Sequence, residues 1–379
     1  MTTIGILGGG QLARMLVLAG MPLGLRFIIV DNVKEACAGQ VAPLIQADYR
    51  NFQALEEFAE QVDVATFDFE NIPGDTAHWL AERTRVFPNP RALSIAQDRL
   101  EEKRLFQQMG LETAPFAIVE TFDELVIASR KIRFPCVLKT RRLGYDGKGQ
   151  YRLHSHADLE KAWQTLGGVP LILEAWVAFE KELSVIAVRS SSGEFRTYPL
   201  TQNWHSNGVL SASLAPAPDC AEYSVAAFRY AQTLAEKLDY VGVFALELFL
   251  VNGKLLGNEM APRVHNSGHW TIEGTACSQF ENHLRAILGL PLGDTSARKL
   301  NCMLNWVGEL PSSLPILSES HAHWHAYGKT PRAGRKVGHA TLCASSSKKM
   351  SERLSRIGKL LKRESQIMPV VKALKESKT

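Results

Sequence analysis

The N-terminal stretch of this chain, as far as Pro88-Asn89-Pro90, alternates strand-like and helix-like patterns, and few folds accept that order. Ile4-Gly5-Ile6-Leu7 reads as a short buried strand and residues 11–18 as a helix. Phe27-Ile28-Ile29-Val30-Asp31 reads as a second strand and Val64-Ala65-Thr66-Phe67 as a third or fourth. Strands separated by helices predict a Rossmann-like parallel sheet with helices on its faces. The first turn, Gly8-x-Gly10-x-x-Ala13, opens a helix, and Asp31 ends the next strand. Small residues there let backbone N–H groups approach a phosphate or another polar ligand, with Gln11 beside it. The same pattern fits a dinucleotide fingerprint, so an NAD-dependent dehydrogenase is one reading. Any parallel α/β sheet needs a tight first turn, so the turn alone decides nothing.

Beyond this unit, residues 98–109 form a charged amphipathic helix pattern closed by Gly110. Strand patterns follow at 116–119, 136–140, 171–175 and 183–189, then a helix at 227–238. Residues 243–250 and 255–260 read as a hairpin around Asn252-Gly253. A last compact strand region begins near Asn301, ahead of a basic tail. With 379 residues, 45 % of them apolar, the chain can bury cores for two or three domains. It has no apolar run of about 18 residues, which argues against a membrane span, and Gly8-Gly9-Gly10 and Arg14 break any leader-like start. Six scattered cysteines without a C-x-x-C pair suggest reduced thiols in a cytoplasm. The net charge of +4 is too small to argue for a nucleic-acid partner by itself. It hides an asymmetry: from Lys329 onward 14 Lys/Arg face 3 Asp/Glu. Residues 348–378 read most simply as a solvated basic helix.

The loop after the strand at 136–140 carries the first specific chemistry. Gly144, Gly147 and Gly149 can expose backbone N–H groups, and Lys139, Arg141, Arg142 and Lys148 surround them. Such a cationic, glycine-rich loop suits a lid over polyphosphate, without being a Walker loop. Glu174-Ala175-Trp176-Val177 ends an apolar strand, where backbone groups can meet a planar base, and Glu182 could accept from ribose hydroxyls. In the hairpin, Glu247 and Glu259 are acids within apolar strands, where an unpaired carboxylate is costly. Two carboxylates on one face plus phosphate oxygens suit Mg²⁺. A two-residue turn with regular pairing would put them on opposite faces, so an odd-length loop or an equivalent bulge is expected. The polar run 261–270 follows, in which Arg263 can stabilise anionic charge and His265 can hold or move a proton, while Asn266 and Ser267 can orient a substrate.

Taken together, the 144–150 loop, the Glu247/Glu259 hairpin and the run 258–269 resemble the ATP-grasp superfamily. More narrowly they are similar to the N5-carboxyaminoimidazole ribonucleotide synthetases of purine biosynthesis. Further motifs carry this resemblance over essentially the whole chain: residues 8–12, 66–71, Asp98-Arg99, 198–203 and 327–339. It implies an ATP-grasp domain over residues 99–295 with a lid near 115–180. A Rossmann-like domain (1–98) would precede it, and a small β-rich domain (296–379) would complete the substrate site. It implies that Arg99, Lys139, the loop Gly144, Tyr145, Asp146, Gly147, Lys148, Gly149 and Gln150, the segment Glu174, Ala175, Trp176 and Val177, and Glu182 and His205 hold ATP. Glu247 and Glu259 would bind Mg²⁺, with Mn²⁺ as a substitute, and Asn258 would lie beside the nucleotide. The ribonucleotide would meet Gln11, Leu12, Glu70, Asn266, Ser267, Lys329, Arg335 and Lys336, the cations cradling its 5′-phosphate. Asp68 stands where the family usually has Glu, and Gln202 where it has His or Glu.

The reaction so implied is attack of bicarbonate on the γ-phosphate of ATP, then transfer of the carboxyl group from carboxyphosphate to the amine of 5-aminoimidazole ribonucleotide. Tyr145, Asp146 and His265 are candidates for positioning and proton handling, and Arg263 and Lys148 for anion stabilisation. The resemblance further implies a cytoplasmic homodimer whose labile product passes to a separate mutase. The rival on the same fold is formate-dependent glycinamide ribonucleotide transformylation or a biotin carboxylase-like reaction. The dehydrogenase reading leaves the Glu247/Glu259 pair and the 144–150 loop without a purpose.

Overall fold

A computed structural model describes residues 1–144 and 148–377. Its first sheet is the parallel layer foreseen above. Strands Leu44–Gln46, Arg26–Asp31, Thr3–Leu7, Val64–Phe67 and Arg85–Val86 lie side by side in that order, all parallel. Helix Gln11–Gly20 buries Leu12, Leu16 and Val17 against the core, so the chain returns over the sheet directly after the glycine turn. Thr3–Leu7 is buried at every position, as expected for a central strand covered on both faces.

Helix Arg99–Gln108 leads out of this unit, with Asp98 accepting from the N–H of Leu100 at its N-cap. An antiparallel four-stranded sheet follows, in the order Phe116–Val119, Leu171–Ala175, Cys136–Thr140, Gln150–Leu153. Two helices, Phe122–Ile132 and Leu159–Leu166, cover it and complete a small separate core. The glycine loop at 144–149 joins its last two strands in space, Cys136–Thr140 and Gln150–Leu153.

Among the described residues the third sheet has nine strands, one of which, Phe195–Thr197, pairs at the side with Lys181–Arg189. The hairpin Lys254–Ala261 and Gly242–Val251 forms one edge, followed by Lys181–Arg189, Thr201–Ser206 and Val209–Ala215. Leu300–Val307, Lys336–Ala344 and Ala322–Ala326 continue the same sheet, because Val209–Ala215 pairs with Leu300–Val307. The C-terminal strands therefore extend the sheet that carries the two glutamates. The basic tail forms two helices, Ser347–Leu361 and Glu364–Glu376. Each is amphipathic: Met350, Leu354 and Ile357 of the first and Ile367, Val370 and Leu374 of the second are buried in one core. The simple solvated helix read from the charges is thus corrected to a pair with charges outside and an apolar seam against the sheet. Among the described residues, no helix is long and apolar enough to cross a membrane.

Candidate active site

Sheet register sets the centre of the site. Glu247 lies opposite Ser184 on one neighbouring strand and Glu259 on the other, so all three side chains share one face. The connection is a two-residue turn: Asn252 and Gly253 have φ of 48° and 74°, and Val251 pairs with Lys254. Regular pairing from that turn would send Glu259 to the opposite face. A register shift after Leu248 leaves Asn258 as an extra residue and returns Glu259 to the face of Glu247. The odd-length loop is absent, and the equivalent bulge takes its place.

Arg99, at the start of its helix, reaches Glu259 with Nη1 3.0 Å from Oε2. Asp98 beside it accepts from Arg141 at 3.1 and 2.7 Å and lies 3.2 Å from Arg142, which anchors the base of the glycine loop. Lys103, one turn beyond Arg99 and only 2 % exposed, reaches Glu174 Oε2 at 3.3 Å. Lys139 reaches the same oxygen at 2.9 Å. Burial opposes the charge on Glu174, but Lys139, Lys103 and Arg99 outweigh it and hold its carboxyl down at about 2. Sequence reading missed Lys103; its signal was the i, i+4 spacing from Arg99. It also missed Glu102, a buried acid that accepts from the Met260 N–H at 2.6 Å and so tethers the strand of Glu259 to the helix of Arg99. Burial and then the Glu259 carboxylate push Glu102 up to about 8.

In the loop, Gly144 and Gly149 form a narrow neck. A Cβ on Gly149, whose φ is 69°, would come within 2.6 Å of Thr140 Oγ1, and one on Gly144 within 3.2 Å of the Lys148 carbonyl. Gly149 accepts from the Thr140 N–H at 2.8 Å, next to Gln150 at the start of the returning strand. Tyr145, Asp146 and Gly147 lie outside the described residues. At the end of strand Leu171–Ala175, the N–H groups of Ala175 and Trp176 bond to the carbonyls of Pro115 and Pro135. They are thus in use, and a base at this segment would meet the stretch from Trp176 to Val177 by other groups. Glu182 and His205 form a pair at 2.8 Å. Burial alone would lower His205, but the Glu182 hydrogen bond and charge raise it.

The turn after the hairpin brings the remaining residues to this face. His265 Nε2 lies 3.1 Å from Glu247 Oε1, and its Nδ1 lies 2.9 Å from Ser267 Oγ. Burial, then Arg263 and Lys336, push His265 down to about 3, so the ring is neutral. Gln279 clamps the backbone of His265 through both N–H and C=O. Arg263 donates to Glu70, which follows the fourth strand of the parallel sheet. Asn266 and Asn305 exchange two amide hydrogen bonds, at 3.1 and 2.8 Å.

The N-terminal turn meets the same group of residues. Lys329 donates to Gln11, and Arg335 donates to the Thr330 carbonyl at 3.1 Å. Lys336 begins its strand close enough to bear on both His205 and His265. Leu12 is 5 % exposed, with its side chain packed in the core and withheld from a ligand. The N–H of Gly9 donates to Asp31 at 2.6 Å, and the N–H of Gly10 donates to Asp68. Those are the groups a dinucleotide pyrophosphate would require, and two carboxylates hold them, which removes the physical basis of the dehydrogenase reading. Asp68, raised to about 6 by burial, is therefore a structural acceptor facing Lys329 and Arg263.

The cluster of Arg99, Lys103 and Lys139, a facing acid pair and a glycine-necked loop on an antiparallel sheet define an ATP-grasp enzyme. Three family models match in the same order along the chain: the ribonucleotide synthetase preATP-grasp domain at 1–97, the ATP-grasp domain at 104–280 and the phosphoribosylaminoimidazole carboxylase C-terminal domain at 301–353. The N5-carboxyaminoimidazole ribonucleotide synthase of Pseudomonas aeruginosa is 46 % identical over 358 residues, covering 94 % of this chain and 99 % of that protein. The crystal structure of the synthetase from Thermus thermophilus superposes with a TM-score of 0.91 at 49 % identity, covering 94 % of this chain and 98 % of that one. That of the Aspergillus clavatus enzyme in complex with ADP and 5-aminoimidazole ribonucleotide has a TM-score of 0.85 at 28 % identity, covering 99 % and 98 %. The chain belongs to the N5-carboxyaminoimidazole ribonucleotide synthase family.

Proposed function

We propose that this chain uses ATP and bicarbonate to carboxylate the exocyclic amine of 5-aminoimidazole ribonucleotide, giving N5-carboxyaminoimidazole ribonucleotide for purine biosynthesis. The observation that carries this reading is the shared face of Glu247 and Glu259, with Arg99 bound to one acid and His265 to the other. The ATP phosphates would lie against Arg99, Lys139 and the 144–150 loop, and the base against residues 174–177. Glu182 and His205 would face the ribose, with Asn258 beside the nucleotide. The donor chemistry of Glu247 and Glu259 fits Mg²⁺, or Mn²⁺ in its place, with phosphate oxygens filling the remaining positions. When bound, the ion would neutralise phosphoryl charge.

A bicarbonate oxygen attacks the γ-phosphorus, the bond to the β,γ-bridging oxygen breaks, and ADP leaves behind carboxyphosphate. Arg263, held by Glu70, and Lys148 stabilise the anion. The amine nitrogen then attacks the carboxyl carbon, or CO₂ released from it, as phosphate departs. The amine proton passes to a group in the site, with Asp146 and Tyr145 as candidates, while neutral His265, engaged at both ring nitrogens, serves in positioning. Gln11, Glu70, Asn266 and Ser267 orient the ribonucleotide, together with the backbone of Leu12. Lys329, Arg335 and Lys336 receive its phosphate. Closure of the loop keeps water from the intermediate. We place the enzyme in the cytoplasm as a homodimer that delivers its labile carbamate to a separate mutase.

The test is ADP formation from ATP, Mg²⁺ and bicarbonate, with and without 5-aminoimidazole ribonucleotide. Turnover that requires both bicarbonate and the ribonucleotide is expected. No stimulation by the ribonucleotide would reject the reading, and turnover with formate in place of bicarbonate would select transformylation.

A further inference from the structure

A row of buried polar side chains crosses the sheet behind the site and ends on His265. Ser184, Ser213 and Ser267 are fully buried and Asn203 is 5 % exposed. Asn203 lies opposite Ser213 on the next strand, and Ser184 lies opposite Glu247, so the row runs along the face that carries the acids. A buried polar row is costly unless every member is paired, and apolar side chains would fill the same space at less cost.

Its direction follows from one end. The backbone N–H of Ser267 points at His265 Nδ1 from 3.4 Å, and a backbone N–H can only donate. Nδ1 is therefore an acceptor, and the Ser267 hydroxyl, 2.9 Å away, donates to it as well. Having donated there, Ser267 Oγ accepts from Ser184 Oγ at 2.8 Å. Ser184 in turn accepts from Asn203 Nδ2 at 3.0 Å, and Asn203 Oδ1 accepts from Ser213 Oγ at 2.7 Å. At the far end, the imidazole proton is left on Nε2, 3.1 Å from Glu247 Oε1.

Resting on the functional reading above, we propose that Asn203 and Ser184 are positioning residues that act through Ser267. They hold His265 in its Nε2–H tautomer, so that it donates to Glu247 and turns that carboxylate toward Glu259. At 3.4 Å the Ser267 N–H contact is too long to hold that polarity alone; Asn203 holds it, because an amide cannot exchange its donor and acceptor ends without turning over.

The test combines kinetics with NMR of protein labelled with ¹⁵N in the histidine rings, the His265 signal being identified by its loss in His265→Asn. The wild-type ring should show the pattern of a proton on Nε2 and an acceptor Nδ1. Ser184→Ala removes one hydroxyl without adding bulk. Asn203→Asp keeps the shape but can no longer donate to Ser184. Both should add or substitute the Nδ1–H pattern and lower kcat by about 10- to 100-fold, with KM for ATP unchanged. A wild-type ring protonated on Nδ1 overturns the proposal. So does a lowered kcat with the ring pattern intact, which would mark a merely structural role, or an altered ring with kcat intact. If Asn203→Asp fails to fold, Ser184→Ala decides alone. If the wild type forms no ADP in response to the ribonucleotide, the functional reading fails, while the ring pattern still decides the tautomer.

Discussion

Glu247 and Glu259 face each other across one hairpin, yet the chain treats them oppositely. Burial works against a charge on Glu259, but Arg99, at 3.0 Å, and then Lys139 outweigh it and draw its carboxyl below the ordinary glutamate range. Glu247 is met by a neutral imidazole at 3.1 Å. Burial pushes it up, and the carboxylates of Glu259 and Glu182 push the same way. One acid is thus neutralised by a cation from within the fold and the other is not. In a facing acid pair the local partner decides which member is costly to ionise, and identical residues at mirrored positions need not share a role in stability.

The largest expected effect is one the two acids have in common. Glu247→Gln and Glu259→Gln should each lower turnover by more than about 100-fold, since loss of an outer-shell partner alone costs about 10- to 100-fold. Steady-state ADP release checks this, and either variant with near wild-type turnover removes that residue from the proposed metal site. The next effect should separate them. A carboxyl whose folded pKa lies above its unfolded value lowers stability as pH rises beyond the ordinary glutamate range. Glu247→Gln should therefore raise the metal-free Tm at neutral pH by a few degrees, in line with about 2–4 °C per kcal/mol for large domains. Glu259→Gln leaves Arg99 without its carboxylate and should lower it. Calorimetry without metal decides, and shifts of the same sign would break the contrast.

The hairpin itself was legible, because Asn252-Gly253 between apolar runs signals a tight turn. The position of the bulge was not. Gly257 donates to the Glu112 carbonyl at 2.7 Å, and a Cβ there would meet Leu111 and Phe106 at 2.8 Å. A segment about 145 residues earlier in sequence thus presses on the strand at that point, and no local pattern records it. Strand Thr201–Ser206 escaped for a different reason. Its inward residues, Thr201 and Asn203, are held by hydrogen bonds, so the apolar alternation that reveals a strand is missing. In the tail, apolar spacing was present at Met350, Leu354 and Ile357, but the run of cations masked it. The candidate site residues that stand out in the sequence are those in unusual local company: acids in apolar strands, and glycines among cations. Glu102 and Lys103 look like ordinary members of a charged helix until tertiary packing buries them.

Glu174 extends the case of Glu259 to its limit and gives the most specific prediction. It is 4 % exposed and held by Lys139 and Lys103, and its carboxyl falls from 4.5 to about 2 despite burial. A depressed carboxyl contributes stability that is complete above its unfolded value and is lost as pH falls through its folded one. The window is therefore from about pH 4.5 down to about 2, and a shift of this size corresponds to about 3 kcal/mol. Glu174→Gln cannot titrate there and leaves two ammonium groups, that of buried Lys103 among them, without their carboxylate. The variant should be less stable than the wild type at neutral pH, and the gap should close on acidification because only the wild type loses the ion pair. Taking the difference between the two proteins cancels the titration of other carboxylates. Urea unfolding of both across the acid range measures it, and a gap that stays constant would show that the two lysines do not hold Glu174 ionised.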